Sequence, residues 1–321
     1  MKLLPTILSL LSASTVLAAD RCTGGSTCTD PDVIRLNTTS CQKYHIFTAR
    51  GSNAQKPGHA ADLIRQVCTN LGGDCNFEDI DFPARGGGNG WCESASLGAT
   101  NGVKQLKSYA ERCPDAGLIV VGFSQGASVS LDYLGGGGGV NVFGCDQPEN
   151  EGLNRSSVAG GRVLAALLFG STVRAASTNY TIGGGRAFNG TAARPQRYQN
   201  NLAAFAAAGV LREYCNEGDP ICAVGSTPSD MSNHLSYFER YTNESVKWVV
   251  ETVQKNSAKA SASASVSPSA TPSATPGAGN QGNVPETSDA SPRTSIVLSG
   301  ARGTWGFCGV VVLGTFFFLF A

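Results

Sequence analysis

The 321-residue chain balances 24 Lys+Arg against 24 Asp+Glu, which leaves no basic excess for a nucleic-acid backbone. An apolar fraction of 41% is enough for a sizeable core, and 40 glycines without a three-residue period exclude a collagen-like rod. Eleven cysteines point to an oxidising compartment.

The chain opens with Lys2, an apolar run over residues 3–17 and the small-residue site Val16-Leu17-Ala18, the pattern of an export signal over residues 1–18. The expected folded body is residues 19–256. Within it, residues 44–49 mix β-branched and aromatic side chains and predict a strand. Leu63, Ile64, Val67 and Leu71 recur at helical spacing within residues 60–71. Residues 77–82 predict a short strand, and residues 94–112 a helix stopped by Pro114. The apolar run 118–122 reads as a buried parallel strand, followed by a helix over 124–134. A five-glycine run, Gly135 to Gly139, predicts a mobile loop near the active-site face. Strands are expected at 162–169 and 210–214, and a closing helix at 236–253. Strands alternating with helices predict a mostly parallel sheet covered on both faces, a three-layer α/β/α sandwich.

Residues 257–300 are rich in Ser, Ala, Thr and Pro and predict a disordered, O-glycosylated stalk. Residues 301–321 end in an uncharged apolar tail that is short for a membrane span. Small residues, a polar spacer and a terminal apolar tail form the signal for a glycolipid (GPI) anchor, with attachment near 288–291 or 299–301. Sequons begin at Asn37, Asn154, Asn179, Asn189 and Asn243, all in the body. Ten of the cysteines also lie there; the eleventh, Cys308, is in the tail.

Gly122-Phe123-Ser124-Gln125-Gly126 matches the G-x-S-x-G nucleophile elbow and stands between an apolar strand and a helical stretch, the context that motif requires. The turn would lift the Ser124 hydroxyl to a helix N-terminus, where backbone N–H groups can stabilise an oxyanion. A serine nucleophile needs a base. Of three histidines, His45 and His59 precede Ser124, so the order Ser, acid, His leaves His234. The acid candidates in between include Asp132, Asp146, Glu213, Glu217, Asp219 and Asp230. Asp219 is favoured because a disulfide between Cys215 and Cys222 would hold its loop rigid; Asp230 is the runner-up. Ser52, at the end of the first strand, suits a second oxyanion donor. No C-x-x-C pair or H-E-x-x-H stretch indicates a metal site, and no cofactor is expected.

Thr48-Ala-Arg-Gly-Ser52, Gly122-Phe-Ser-Gln-Gly126, Tyr214-Cys-Asn-Glu-Gly-Asp-Pro-Ile-Cys222 and His234-Leu-Ser-Tyr237 together resemble the cutinase and acetylxylan esterase superfamily of fungal serine esterases, over about residues 41–254. The resemblance implies a compact α/β-hydrolase sandwich without a large lid. It implies Ser124 as nucleophile, Asp219 as acid, His234 as base, and oxyanion donors at Ser52 and the backbone N–H of Gln125. It also implies the disulfides Cys41–Cys113 and Cys215–Cys222. Short spacing pairs Cys68 with Cys75 and Cys22 with Cys28, and Cys92 and Cys145 remain. The chain departs from the family at Ser171-Thr172, where Asp-Pro is common, and in the polar stretch 225–230, where cutinases favour an apolar rim.

The expected protein is a secreted, surface-anchored monomeric ester hydrolase acting on short-to-medium acyl esters through an acyl-enzyme. Acetylxylan esterase activity on acetylated polysaccharide is the alternative of the same class. A non-catalytic cell-wall or adhesion module on a hydrolase scaffold is the alternative of another class.

Overall fold

The computed structural model describes Cys22 and residues 24–265; the export signal, most of the stalk and the anchor signal lie outside the described residues. The elements run α1 (Pro31–Ile34), β1 (Tyr44–Ala49), a 3-10 turn (Gly58–Ala60), α2 (Ala61–Asn70), β2 (Cys75–Asp79), α3 (Gly88–Arg112), β3 (Gly117–Phe123) and α4 (Gln125–Gly135). They continue with β4 (Val140–Val142), β5 (Cys145–Gln147), α5 (Val158–Gly161), β6 (Val163–Phe169), β7 (Thr181–Ile182), a second 3-10 turn (Gly184–Ala187), α6 (Gln196–Ala207), β8 (Leu211–Tyr214), α7 (Met231–Leu235) and α8 (Tyr237–Ser265).

Six strands form one sheet in the order β2-β1-β3-β6-β8-β7, every neighbouring pair parallel. Antiparallel pairing among the described strands is confined to the β4–β5 hairpin. β3 is apolar throughout because both its faces are covered. Leu118 and Val120 point into a core shared with Tyr109, Val129, Leu131 and Phe205 of α3, α4 and α6. Ile119 and Val121 point the other way, into a core with Leu63, Ile64, Val67, Val249 and Val253 of α2 and α8. The period-two alternation of strand side chains thus builds the three layers expected from the sequence. His45 is wholly buried on β1, stacked on Tyr109 at 3.8 Å and bonded through Nδ1 to Asn76 Oδ1 at 2.6 Å, and serves the core.

The catalytic-face loops follow from this topology. In parallel α/β sheets the C-terminal strand ends converge on a crevice where strand order reverses direction. Here β1 has β2 on one side and β3 on the other, and the loops after β1, β3 and β8 open on that edge.

Several sequence expectations shift. β2 begins two residues early, at Cys75, where the Cys68–Cys75 disulfide ties it to α2. α3 begins at Gly88, six residues early: glycines at 88 and 90 weaken local helix propensity, but Trp91, Cys92 and Ala95 are buried in the core and hold the turn. β7 and the β4–β5 hairpin, strands of two and three residues, are too short to carry a periodic signal; α6 is absent from the sequence expectation although Tyr198, Leu202 and Phe205 recur at helical spacing. α8 continues to Ser265, so the stretch 257–265 assigned to the stalk is helical; its alternating alanines are strong helix formers.

The glycine run is a close-packed segment rather than a mobile loop. It stands at the far end of α4, eleven residues or roughly 16 Å from Ser124 at 1.5 Å per residue, away from the catalytic face. Gly135 to Gly138 are buried. A Cβ at Gly137 would lie 2.0 Å from Asp132 Oδ1, and one at Gly138 2.0 Å from the Pro148 carbonyl oxygen. Glycine is required there by close approach rather than by freedom of motion.

All ten described cysteines are paired: Cys22–Cys28, Cys41–Cys113, Cys68–Cys75, Cys92–Cys145 and Cys215–Cys222.

Candidate active site

Ser124 stands between β3 and α4 with φ 55° and ψ −119°, a strained left-handed conformation for a residue with a Cβ. Neighbouring glycines permit the turn. A Cβ at Gly126 would meet the Ala49 carbonyl oxygen at 2.0 Å, so α4 can start against the end of β1 only if residue 126 lacks a side chain. The Ser124 N–H is spent on the Phe169 carbonyl at 2.8 Å, which locks the turn to β6.

From this turn a hydrogen-bonded line runs through the site. Ser124 Oγ lies 2.9 Å from His234 Nε2, and His234 Nδ1 lies 2.9 Å from Asp219 Oδ2. His234 is buried on the short helix α7, its ring stacked on Phe123 at 5.1 Å. Asp219 is fully buried in the loop after β8, closed by Cys215–Cys222. Its Oδ1 accepts N–H bonds from Ile221 at 2.7 Å and Cys222 at 3.1 Å; its Oδ2 also accepts the Tyr237 hydroxyl at 2.6 Å. Burial by itself pushes this carboxyl up. The hydrogen bond and charge of His234, with the bonds from Tyr237 and Ile221, outweigh it and hold Asp219 below the usual aspartate range.

The other acid candidates are elsewhere engaged. Asp132 is buried toward the far end of α4 with Arg194 at 2.5 Å and Gln147 at 2.6 Å. Glu213 is buried on β8 and held by Arg174 and Thr181. Asp146 bonds Asn141, and Glu217 is exposed. Asp230, the runner-up, is exposed and caps α7 through the Ser232 N–H at 2.7 Å.

Ser52 follows β1 on a loop pressed against the elbow: a Cβ at Gly51 would come within 3.4 Å of Ser124 Cβ. The loop is clamped by Asn53, whose N–H reaches the Ala84 carbonyl and whose Oδ1 accepts from Gly86. Gln125 is the first residue of α4, where N–H groups lack intrahelical partners. Its side chain donates to the Arg85 and Trp91 carbonyls at 3.0 and 3.2 Å, bracing the facing loop.

Two supporting residues escaped the sequence reading. Tyr237 belongs to a quoted motif, but nothing in its spacing indicates that its hydroxyl reaches Asp219. Arg174, fully buried, donates to the Cys222, Gly185 and Arg186 carbonyls at 3.0 Å and so pins the acid loop from behind. Its neighbours, Ser171-Thr172-Val173 and Ala175-Ala176-Ser177, give no sequence signal of that role. Residues 225–230 are polar, while Val224 and Met231 on either side of them and Leu235 next to His234 in sequence are exposed at 48%, 47% and 55%.

Parallel sheet, strained elbow serine, buried histidine and buried aspartate define the α/β serine-hydrolase architecture. The cutinase family model matches residues 40–253. Acetylxylan esterase 2 of Talaromyces purpureogenus is 28% identical over 67% of this chain and 88% of its own length. Cutinase 11 of Verticillium dahliae is 28% identical over 67% and 70%. An acetylxylan esterase structure at 0.90 Å resolution superposes on 67% of this chain and all of its own, with 26% identity and a TM-score of 0.54. The chain belongs to the cutinase family and is a carboxylic ester hydrolase of the serine type.

Proposed function

We propose that Ser124, His234 and Asp219 are the catalytic triad of a secreted, surface-anchored esterase that cleaves short-to-medium acyl esters. The continuous Ser124–His234–Asp219 hydrogen-bonded line, with both links at 2.9 Å, carries this reading. His234 Nε2 takes the Ser124 proton as Oγ attacks the ester carbonyl; Asp219 orients the ring and stabilises its cationic form. The backbone N–H of Gln125 and a donor at Ser52 receive the oxyanion. The imidazolium then protonates the leaving alcohol, and water repeats the sequence to release the acid.

Apolar Val224, Met231 and Leu235 give a few carbons of an acyl chain something to cover, and the polar stretch between them limits longer ones. The acyl donor could be cutin-like polyester or acetylated polysaccharide; the similarity to acetylxylan esterase 2 favours including the latter in the first screen.

The course of α8 supports outward display. It begins at Tyr237 beside the triad, and its Asn256 side chain bonds the Leu164 carbonyl at the N-terminal end of β6. The later turns of α8 therefore pass the end of the sheet opposite the active site, which suits a tether to membrane or wall. Among the described residues no helix is long and apolar enough to cross a membrane. The five sequon asparagines are exposed, as glycan acceptors must be.

The test is hydrolysis of p-nitrophenyl acetate and butyrate by the wild-type body, Ser124→Ala and His234→Ala. Loss of several orders of magnitude in each variant, without additivity in the double, is expected. Near-normal turnover in either would overturn the triad. Release of cell-bound activity by phosphatidylinositol-specific phospholipase C tests the anchor.

A further inference from the structure

We infer that Tyr237 is a positioning residue for the proposed triad, fixing the orientation and charge of Asp219 through its hydroxyl. The inference rests on the proposed roles of Ser124, His234 and Asp219. Tyr237 is wholly buried at the start of α8, one turn after His234. Its hydroxyl donates to Asp219 Oδ2 at 2.6 Å, the same oxygen that faces His234 Nδ1 at 2.9 Å. The hydroxyl in turn accepts the Asn216 N–H at 2.9 Å and lies 3.3 Å from Cys222 Sγ. A phenol has one proton to give. With the Asn216 N–H directed at its oxygen, that proton is aimed at the carboxylate. Tyr237 therefore joins both ends of the Cys215–Cys222 loop to the acid between them.

Sharing Oδ2 between two donors has a chemical consequence. The carboxylate must stay charged to steady the imidazolium. A carboxylate with a single donor on that oxygen would hold the imidazolium proton more tightly, so that His234 stays protonated to higher pH and gives its proton up to the leaving alcohol less readily. The Tyr237 hydroxyl draws off part of that charge while leaving Asp219 ionised. Its own proton is not lost at working pH, since burial and then the Asp219 charge push the phenol well above its ordinary value. The titratable groups facing the carboxyl are His234 from α7 and Tyr237 from α8. Glu213 on β8 also acts on Tyr237 and is itself held by Arg174 and Thr181.

The experiment compares wild type, Ser124→Ala, Tyr237→Phe and a protein carrying 3-fluorotyrosine at 237, using p-nitrophenyl butyrate across pH. In Tyr237→Phe, kcat should fall about 10–100-fold, the range for a hydrogen bond to a charged group, with KM changed less than about threefold. The acid limb of kcat/KM should move to higher pH, because His234 keeps its proton longer. The more acidic fluorophenol keeps the shape of tyrosine and should move that limb to lower pH. This variant decides the matter if Tyr237→Phe fails to fold. A lowered melting temperature with kcat and both acid limbs unchanged would mean a purely structural tyrosine and overturn the inference. Turnover surviving in Ser124→Ala would instead bring down the triad, and the role of Tyr237 with it.

Discussion

Asp219→Asn should cost far more than the loss of one charge, and the reason lies in its four hydrogen bonds. Oδ1 accepts two backbone N–H groups, from Ile221 and Cys222, and Oδ2 accepts from His234 and Tyr237. A carboxylate satisfies all four as an acceptor; an asparagine has one oxygen and one NH2 group. Turned either way, it sets the NH2 against a pair of donors. The two amides are fixed by the disulfide-closed loop and cannot turn away, so the asparagine oxygen stays with them. Its NH2 then faces His234 Nδ1, which must become the acceptor. The ring shifts its proton to Nε2 and meets Ser124 as a donor, unable to take the serine proton. A wrong tautomer at this position lowers kcat by about 10⁴, some 5–6 kcal/mol of transition-state stabilisation. Initial rates on p-nitrophenyl butyrate, with circular dichroism to establish folding, measure it. Asp230→Asn keeps the cap on α7 and removes only an exposed charge, so it should retain most activity. A folded Asp219→Asn enzyme with more than a tenth of wild-type kcat would refute the tautomer argument, and a greater loss in Asp230→Asn would mean that the acid is misassigned.

Activity on p-nitrophenyl esters should peak at butyryl to hexanoyl and decline at C12–C16, because each further CH2 gains its roughly 0.8 kcal/mol only where apolar surface covers it; a profile still rising at C16 contradicts this. Burial raises Asp79 to about 6, with Lys56 and Arg50 offsetting it only in part. The native state thus binds this proton more tightly than the unfolded chain, and stability drains away as pH rises from about 4 through about 6. Asp79→Asn should be neutral at pH 4 and stabilising by about 1–3 kcal/mol at pH 7.5 in urea melts; equal effects at both pH values would dispose of the linkage. Gly137→Ala should lower the melting temperature by about 3–10 °C, since its Cβ has no room beside Asp132; an unchanged melting temperature would restore the mobile-loop reading.

The sequence by itself determined the elements whose information is local. An apolar run of β3's length must be covered on both faces, and the glycines at 122 and 126 mark a sharp strand–turn–helix. The order of one late histidine after one elbow serine restricted the base to His234. The α2 and α8 periodicities likewise declared which faces meet the sheet. What tertiary structure decided is everything that depends on distant partners. Several acids were compatible with the sequence, and only folding shows Asp132 and Glu213 committed to buried arginines while Asp219 faces His234. The run of glycines looks flexible in isolation because missing side chains favour motion in an exposed chain. Packed against Asp132, Pro148 and Tyr198, the same absence permits close approach. α3 extends through glycines for the same reason: core burial of Trp91 and Ala95 outweighs a local propensity cost of about 1 kcal/mol per residue. The hydroxyl of Tyr237 lay in plain view within a motif, yet its bond to Asp219 depends on α8 returning beside the β8 loop, a juxtaposition that no periodicity encodes.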